Sequence, residues 1–434
     1  MKRWLILLLF MLIAAPSSFS QLGIWSGELE VMGNKIPLIF RLNEENPSVD
    51  SPTQAAKGIP IQFEKSENGE ISISIPLIGA NFVGKFESSK IVGTFSQNGF
   101  SFPLTLTPGE KKALRPQTPQ PPFTYSQEEV SFSNGSAILK GTLTLPNNYT
   151  EATPVLLMVT GSGLQNRDEE IFEHKPFAVI ADAFAKKGIA SLRYDDRGFG
   201  ESTGDAVNCS TEDLMKDALS GINLLRTRFK NVGVIGHSEG GTIALMLAAD
   251  KKTDFIVSLA GMVVSGKELL IEQNRVALTS VGLPAESVTE YCRLLSLIFE
   301  NNDSASEQLK NSELPADLKT NLYSVMQQAA TPYMKYFLSL DVRERLREIA
   351  CPVLALNGTK DVQVSSTPNL EALKNGLKNN NLNCIQSFDG LNHLFQHCDT
   401  GAISEYALIE ETIAPEVLTF ITDWILSLPV KLVP

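Results

Sequence analysis

One serine in this sequence stands in a pattern that favours nucleophilic chemistry. Ser238 is the centre of a G-x-S-x-G sequence over residues 236–240. The bare pattern arises by chance in roughly one chain in seven of this length, so its surroundings decide its weight. An apolar segment, 232–235, precedes it and a helix-forming segment, 242–249, follows it. A strand, a sharp turn flanked by glycines and then a helix would expose the serine hydroxyl, as acyl transfer requires.

A serine hydroxyl is a weak nucleophile unless a base removes its proton, and the chain has only four histidines to serve as that base. His174 precedes the serine. His237 adjoins it, and strand or turn geometry is expected to point its side chain away from the nucleophile. His393 lies in a loop after the last predicted strand, whereas His397 is predicted to be a surface or helix residue. We therefore predict that His393 is the base, with His397 as the alternative.

The base needs a carboxylate that fixes its tautomer and stabilises the imidazolium. Asp361 follows the predicted strand 353–356 through a short turn, which places it at the same edge of the sheet as Ser238 and His393. Asp389 lies only four residues before His393 and is expected to be a solvated turn residue. We predict Asp361 as the orienting acid, in the chain order serine, aspartate, histidine.

Acyl transfer also requires N–H donors for the oxyanion that develops on the substrate. One donor is expected to be the backbone N–H of Glu239, the residue after the nucleophile. The other is expected in the loop Thr160–Gly163, which follows an apolar strand, with Ser162 preferred and Gly163 as the alternative. A phosphate-binding loop is the other interpretation, but the rest of a P-loop or dinucleotide fingerprint is missing.

The segments around these residues predict an α/β domain over 125–434. Apolar strands alternate with helices, which is typical of a mostly parallel sheet covered by helices on both faces. The alternation stops between 264 and 349, where a helix-rich stretch is predicted to form an inserted cap. The oxyanion loop and the nucleophile would both lie at the carboxyl edge of that sheet.

The first part of the chain has a different pattern. Residues 1–20 resemble a signal peptide, with two basic residues, an apolar run from Trp4 to Ala15 and small residues before a cut at Gln21. Residues 21–110 alternate with a period of two and predict a small antiparallel β domain or barrel. Residues 111–124 are rich in proline and predict a stiff linker. The mature protein is therefore expected to be periplasmic or secreted.

The amino-acid composition argues against several classes of function for this protein. Lys and Arg number 37 against 49 Asp and Glu, giving a net charge of −12, which disfavours nucleic acid and anionic lipid as partners. The five cysteines are scattered, and a Cys384–Cys398 disulfide is not inferable from their spacing. Neither a Cys/His cluster at zinc spacing nor any cofactor motif occurs, so we expect no metal and no cofactor.

Together, these residues resemble the α/β-hydrolase superfamily over roughly 125–430. The segment 161–169, read GSGLQNRDE, and the segment 193–202, read RYDDRGFGES, are similar to loops of EstD-type carboxylesterases and their serine-aminopeptidase-like relatives. Asn166 stands where those enzymes would have Asp. The resemblance implies an α/β-hydrolase fold with a cap, and a small antiparallel β domain in front of it. The charged residues of the two loops (Arg167, Asp168, Asp195, Asp196 and Arg197) are interpreted as an ion-pair network rather than a phosphate or metal site.

The sequence thus predicts a serine hydrolase that cleaves carboxylic esters through Ser238, His393 and Asp361. Its partner would be a small-molecule ester. An exported peptidase is the first alternative, and it would need a group for a peptide terminus, for which Glu268 and Glu272 are candidates. A non-catalytic binding protein is the second alternative. The N-terminal β domain is expected either to bind an envelope component or to pack on the catalytic domain.

Overall fold

The structure is a computed structural model that describes residues 23–429, except for 32–33, 44, 55, 67–68, 98 and 111–113. The predicted signal peptide, residues 1–20, lies outside the described residues. Contacts between residues divide the chain into two units, Met1–Lys112 and Ala113–Pro434. In the described part of the chain no helix is both long enough and apolar enough to cross a membrane.

The first unit is an antiparallel sheet. Its strands are β1 (Gly23–Val31), β2 (Asn34–Leu42), β3 (Ser48–Ser51), β4 (Ala56–Pro60), β5 (Gln62–Lys65), β6 (Glu70–Ile75), β7 (Ala80–Glu87), β8 (Lys90–Gln97) and β9 (Phe100–Pro108). Their order is β4-β3-β2-β1-β9-β8-β7-β6-β5. Because only Ile61 separates β4 from β5, the two ends of this order must lie close together, and the sheet is barrel-like. Inward-facing residues such as Phe40, Ile73 and Phe82 fill its core.

The second unit is built on a mixed sheet of eight strands. The strands are β10 (Ser126–Asn134), β11 (Ala137–Leu145), β12 (Val155–Val159), β13 (Ala190–Tyr194), β14 (Val232–His237), β15 (Phe255–Leu259), β16 (Val353–Gly358) and β17 (Cys384–Phe388). They are arranged in the order β10-β11-β13-β12-β14-β15-β16-β17. The first two strands pair antiparallel, as do β11 and β13, whereas all later neighbours are parallel.

Helices cover both faces of this sheet. They are α1 (Pro176–Lys186), α2 (Thr211–Arg226), α3 (Glu239–Ala249), α4 (Gly266–Ser280), α5 (Ala285–Phe299), α6 (Ala305–Asn311), α7 (Ala316–Ala329), α8 (Pro332–Ser339), α9 (Ser366–Gly376), α10 (Ile403–Tyr406) and α11 (Pro415–Ser427). Consecutive residues of β12 point to opposite faces. Leu157 packs with α2 and α3 on one face, and Leu156 packs with α1 and α11 on the other. The continuous apolar pattern of these strands follows from burial on both faces.

The excursion between β15 and β16 is helical, as the loss of alternation predicted. It contains α4 to α8 and a 3₁₀ segment, Val342–Glu348. Helices α5, α6 and α7 bury their own apolar cluster, which includes Leu294, Leu309 and Leu322. The helix α8 carries Phe337, which packs instead with Met262 and Leu269 beneath the cap.

The segment predicted as a linker makes specific contacts with the second unit. The guanidinium of Arg115 donates to the carbonyl oxygens of Phe172, Ala407 and Ile409 at 2.8–3.0 Å. The side chain of Gln117 donates to the Ile413 carbonyl at 2.7 Å. A guanidinium shared by three carbonyls fixes this stretch of chain, so residues 115–117 belong structurally to the second unit.

Candidate active site

Ser238 occupies a strained turn between β14 and α3. Its φ of 52° and ψ of −119° lie outside the regions that a non-glycine residue normally adopts. The flanking glycines permit the turn. A Cβ at Gly236 would lie 2.0 Å from the carbonyl oxygen of Gly240, and one at Gly240 would lie 2.0 Å from that of Val159. The strand–turn–helix arrangement predicted around Ser238 is therefore present.

The structure brings His393 and Asp361 together. The Nδ1 of His393 lies 2.7 Å from Oδ2 of Asp361, and both side chains are buried. The other carboxylate oxygen, Oδ1, accepts the backbone N–H groups of Gln363 and Val364, each at 2.8 Å. Because Oδ1 accepts two main-chain N–H groups, Oδ2 is the oxygen that faces the imidazole. The Nε2 of His393 is then the nitrogen that can act as a base.

The two alternatives from the sequence lie elsewhere. Asp389 is exposed and accepts the hydroxyl of Thr359 at 3.0 Å. His397 is also exposed, and its ring nitrogens lie within 3.1 Å of the carboxylates of Glu411 and Glu416. These carboxylates raise the pKa of His397, with the hydrogen bond to Glu411 as the main cause. Neither residue lines the cavity that contains Ser238.

Ser238 and His393 line one cavity of about 320 Å³ at the carboxyl edge of the parallel strands. Apolar side chains from the cap and nearby loops form much of its wall, among them Met262, Leu269, Leu270, Met334, Phe337 and Leu394. No Lys or Arg from the described part of the chain lines it. Its size and lining suit a small, mostly apolar ligand.

The loop after β12 abuts the nucleophile. A Cβ at Gly161 would lie 3.2 Å from the Cβ of Ser238, so only a bare backbone fits there comfortably. Ser162 and Glu239 line the cavity beside Ser238, whereas Gly163 does not. In the described part of the chain, the N–H groups of Ser162 and Glu239 donate to no backbone carbonyl. Both N–H groups therefore remain candidates for the oxyanion donors.

The side chain of Glu239 has a second role, which the sequence did not indicate. Its carboxylate is buried and accepts the hydroxyl of Thr211 at 2.6 Å and that of Tyr333 at 2.5 Å. Tyr333 belongs to the cap helix α8, so this bond ties the cap to the residue after the nucleophile. Burial and the neighbouring Glu239 charge raise the pKa of Tyr333, which keeps its hydroxyl a donor.

Replacing Tyr333 by Phe should leave one oxygen of the buried Glu239 carboxylate without a donor. We expect the free energy of unfolding to fall by about 2 kcal/mol, the usual cost of an unpaired buried polar group. Urea unfolding of the full chain measures it. Tyr336→Phe is the matched control on the same helix, because no hydrogen bond of its hydroxyl is found within the described residues. Equal stability of the two variants would contradict the assigned role of Tyr333.

The surroundings of the His237 ring were not predicted from the sequence. His237 is one of the residues that line the cavity, and its ring lies 4.6 Å from the ring of His393, centroid to centroid. Its Nδ1 lies 3.0 Å from Oε1 of Glu169, and its Nε2 lies 2.9 Å from the His393 carbonyl oxygen. Glu169 was also missed, although it is a buried carboxylate in the loop segment 161–169.

The charged residues of the two loops form ion pairs, with one exception. Arg167 binds Asp195 through two nitrogens at 3.1 and 2.8 Å, Arg193 pairs with Asp168, and Arg197 pairs with Asp217 at 2.6 Å. These pairs hold the loops around β12 and β13.

Asp196 is the exception, and the prediction that it joins the ion-pair network is wrong. Its carboxylate instead accepts the Thr160 hydroxyl and the Gln165 N–H at 2.9 and 2.8 Å. Burial, with the nearby charges of Glu169 and Glu239, raises its pKa to about 7. Among the described residues Asp196 has no cationic partner, and its carboxylate links Thr160 to Gln165 across the loop that follows β12.

His174 is buried behind the site and is neutral. Its Nδ1 lies 2.9 Å from the Thr412 hydroxyl, and its Nε2 lies 2.9 Å from the Tyr406 carbonyl oxygen and 3.1 Å from the side-chain nitrogen of Gln396. Burial lowers its pKa to about 4. His174 therefore serves the packing of this unit and is not placed to act on a ligand, since it does not line the cavity.

This lowered pKa predicts a loss of stability in acid. The unfolded chain takes up a proton at His174 near pH 6.5 and the folded chain only near pH 4, so the stabilisation is complete above pH 6.5 and falls away toward pH 4. Between pH 7 and pH 5 the loss should be about 2 kcal/mol. Urea unfolding at both pH values should give a smaller loss for His174→Gln than for wild type or the exposed control His397→Gln. Identical losses of the free energy of unfolding in all three proteins would contradict the role assigned to His174.

The described residues contain no group of three or more His, Cys, Asp and Glu side chains able to hold a metal ion. Cys384 and Cys398 are both free thiols, so they are not bridged to each other. The arrangement consists of a strained serine, a histidine–carboxylate pair and backbone donors around one cavity. These are the components of acyl transfer without a cofactor.

An eight-stranded sheet with a strained serine between β14 and α3 and a helical cap after β15 defines an α/β-hydrolase, and the fold prediction is confirmed. The family model described as serine aminopeptidase, S33, matches residues 173–397, more than half of the chain. The chain therefore belongs to this family of hydrolases.

The chain is also similar to several individual proteins. Esterase EstD of Thermotoga maritima is 29% identical over 323 residues, which cover 72% of this chain and 71% of the relative. Among solved structures, an esterase of Pyrococcus furiosus is 16% identical with a TM-score of 0.44, covering 73% of this chain and 98% of its own. Proline iminopeptidase of Mycobacterium smegmatis is 15% identical with a TM-score of 0.43, and the match covers 69% of this chain and 99% of the iminopeptidase.

Proposed function

We propose that this protein hydrolyses carboxylic esters through an acyl-enzyme, with Ser238 as the nucleophile. The observation that carries the proposal is the 2.7 Å hydrogen bond between His393 and Asp361 in the cavity wall that also holds the strained Ser238. A histidine oriented by a buried carboxylate is what a serine needs to become a nucleophile. The likeness to a relative named as an esterase supports the same reaction class.

The mechanism follows from the positions of these groups. The Nε2 of His393 takes the proton of Ser238 as the serine oxygen attacks the acyl carbon, and Asp361 stabilises the imidazolium that forms. The N–H groups of Glu239 and Ser162 donate to the oxyanion. His393 then gives its proton to the leaving alcohol. Water, deprotonated by His393, attacks the acyl-enzyme and releases the acid and Ser238.

The cavity favours an uncharged acyl group. Its wall is largely apolar, and its volume of about 320 Å³ lies at the lower end of the range for small-molecule sites. We therefore propose short to medium acyl chains as substrates. Esters of long acyl chains would extend beyond the cavity and gain no further burial.

A peptidase is the second candidate, favoured by the family description, and the carboxylates of the site bear on it. Both oxygens of Glu239 are engaged by hydroxyl donors, and Glu169 is paired with His237. Glu268 caps α4 and pairs with Arg343, and Glu272 pairs with Arg275, so neither lines the cavity. Oε2 of Glu169 is buried and lacks a hydrogen-bond partner among the described residues, but its other oxygen is already paired with His237. We therefore prefer esters on the ground of the largely apolar cavity wall.

The test compares p-nitrophenyl acyl esters of increasing chain length with aminoacyl p-nitroanilides, using the purified wild-type chain. We expect ester hydrolysis to dominate and kcat/KM to peak at a short or medium acyl chain. Faster turnover of the anilides would replace the esterase with the peptidase. Ser238→Ala and His393→Ala, assayed alongside, separate the site's own activity from a contaminant.

We further propose that residues 1–20 export the protein to the periplasm or the medium. The proposal rests on the basic, apolar and small-residue order of that segment. Expression of the full chain in a Gram-negative host, followed by fractionation and N-terminal sequencing, should give a mature chain that begins at Gln21. An unprocessed chain in the cytoplasm would contradict export.

The barrel-like first unit is proposed to bind a cell-envelope component. The proposal rests only on its separate fold and on the predicted export. Removing residues 21–110 should abolish co-sedimentation with envelope fractions while p-nitrophenyl ester hydrolysis continues. Unchanged co-sedimentation of the truncated chain would overturn the proposal.

A further inference from the structure

The environment of His237 fixes its protonation state. Its two ring nitrogens face Oε1 of Glu169 and the carbonyl oxygen of His393, at 3.0 and 2.9 Å. The carbonyl oxygen can only accept, and Oε1 can only accept while Glu169 is ionised. With an ionised Glu169 both nitrogens donate, and only the imidazolium has two N–H groups. Burial by itself lowers the pKa of His237, but the charge and hydrogen bond of Glu169 outweigh it and the pKa is raised.

The pair formed by Glu169 and His237 touches three separate parts of the site. Oε1 of Glu169 also accepts the N–H of Gly161 at 2.9 Å, which fixes the loop that abuts Ser238. His237 itself is the last residue of β14, next to the nucleophile. Its Nε2–H holds the main chain at His393. One buried ion pair therefore connects the predicted oxyanion loop (Thr160–Gly163), the turn at Ser238 and the loop that carries His393.

The surroundings of the pair argue for a role beyond stability. The charges of Glu169 and Asp361 act on His237, and the ring of His393 lies 4.6 Å from its ring. The small pocket behind His237 is otherwise apolar and is lined by Pro176, Phe177, Ile180, Leu259, Leu394, Phe395 and Ile413. Oε2 of Glu169 is buried and has no hydrogen-bond partner in the described part of the chain. Buried ion pairs contribute little net stability compared with apolar packing, and an unpartnered buried oxygen adds a cost. A role in positioning the residues of the site explains why a buried ion pair occurs at this place.

We propose that the ion pair of Glu169 and His237 is a positioning unit, which holds the base His393 and the oxyanion loop in register with Ser238. The proposal rests on the esterase function proposed above. It assigns neither residue to proton transfer, because both nitrogens of His237 are already committed to acceptors. A shift of either loop by about 1 Å would cost on the order of 100-fold in rate.

Two amide substitutions separate the two hydrogen bonds of His237. The side-chain nitrogen of Asn occupies the region of Nδ1, so His237→Asn retains the donor to Glu169 and loses the donor to His393. The nitrogen of Gln reaches the region of Nε2, so His237→Gln retains the donor to His393. We expect kcat for p-nitrophenyl butyrate to fall about 100-fold in His237→Asn and markedly less in His237→Gln, with KM nearly unchanged in both.

The controls separate this proposal from the proposed function and from a folding defect. Ser238→Ala must be inactive; if it is active, the esterase assignment itself fails. If Ser238→Ala is inactive while His237→Asn keeps wild-type kcat per folded molecule, the positioning unit alone is overturned. His397→Asn, an exposed histidine, should match wild type. Circular dichroism gives the folded fraction for each variant.

A spectroscopic measurement tests the unit without any loss of folding. Nitrogen-15 NMR of the wild-type chain at pH 7.5, assigned with His237→Gln, should show protons on both ring nitrogens of His237. A neutral ring with one bare nitrogen would overturn the proposal. Glu169→Gln should abolish the doubly protonated signal and lower kcat with little change in KM.

Discussion

Replacing Ser238 by Ala is expected to lower kcat for p-nitrophenyl esters by about 10⁵- to 10⁶-fold. The expectation follows from the position of Ser238 in a strained turn at the cavity that also holds His393. Without the serine oxygen no acyl-enzyme forms, and the residual rate would come from the oxyanion donors acting on water. The side chain is small and half-buried, so its loss should leave the fold intact.

Steady-state kinetics and covalent labelling together measure this effect. A fluorophosphonate probe should label the wild-type chain and fail to label Ser238→Ala, with the modified peptide containing residue 238. Ser220→Ala is a suitable control, because that hydroxyl bonds to the Lys216 carbonyl within α2, away from the cavity. Retained activity in Ser238→Ala, or labelling at another serine, would remove Ser238 from the mechanism.

Replacing Asp361 by Asn is expected to reduce kcat by about 10⁴-fold while KM changes little. The structure explains why this substitution is informative. Oδ1 of Asp361 accepts two backbone N–H groups, so an Asn side chain would keep its oxygen there and turn its NH₂ group toward His393. The imidazole would then have to accept at Nδ1 and carry its proton on Nε2. In that tautomer it cannot remove the proton from Ser238.

The chain offers a matched control in Asp389→Asn. Asp389 is close to His393 in sequence, but it is exposed and bonded to Thr359. We expect Asp389→Asn to retain wild-type kcat and KM. The reverse result, with Asp389→Asn impaired and Asp361→Asn active, would identify Asp389 as the orienting acid. Thermal unfolding of both variants checks that any loss of rate does not arise from loss of structure.

Much of the fold was predictable because the signals are local. The alternation of apolar strands with helices predicted the mostly parallel sheet, and its interruption predicted the cap. The glycines around Ser238 indicated the strained turn, since a side chain at either place would overlap the main chain. In the first unit the shorter strands β3, β4 and β5 were not predicted, because their turns and mixed exposure weaken the period of two.

The hydrogen-bond partners of buried polar groups were harder to predict from the sequence. The partners of the His237 ring were not predicted, because the turn alone gives no sign of Glu169 at one nitrogen and the His393 carbonyl at the other. The contact of Tyr333 with Glu239 spans 94 residues and carries no local signal. Asp196 was assigned to an ion pair because its neighbours in sequence are charged, yet its side chain faces a hydroxyl and an N–H.

By itself, therefore, the sequence determined the class of fold, the nucleophile candidate and the chain order of serine, aspartate and histidine. These depend on periodicity and on turns, which are properties of short stretches of chain. The tertiary structure decided that Asp361, and not Asp389, meets His393, and that the ring of His237 lies between the Glu169 carboxylate and the His393 carbonyl oxygen. Such pairings depend on strand register and on loops that meet from distant parts of the chain, and their energies arise only once water is excluded between them.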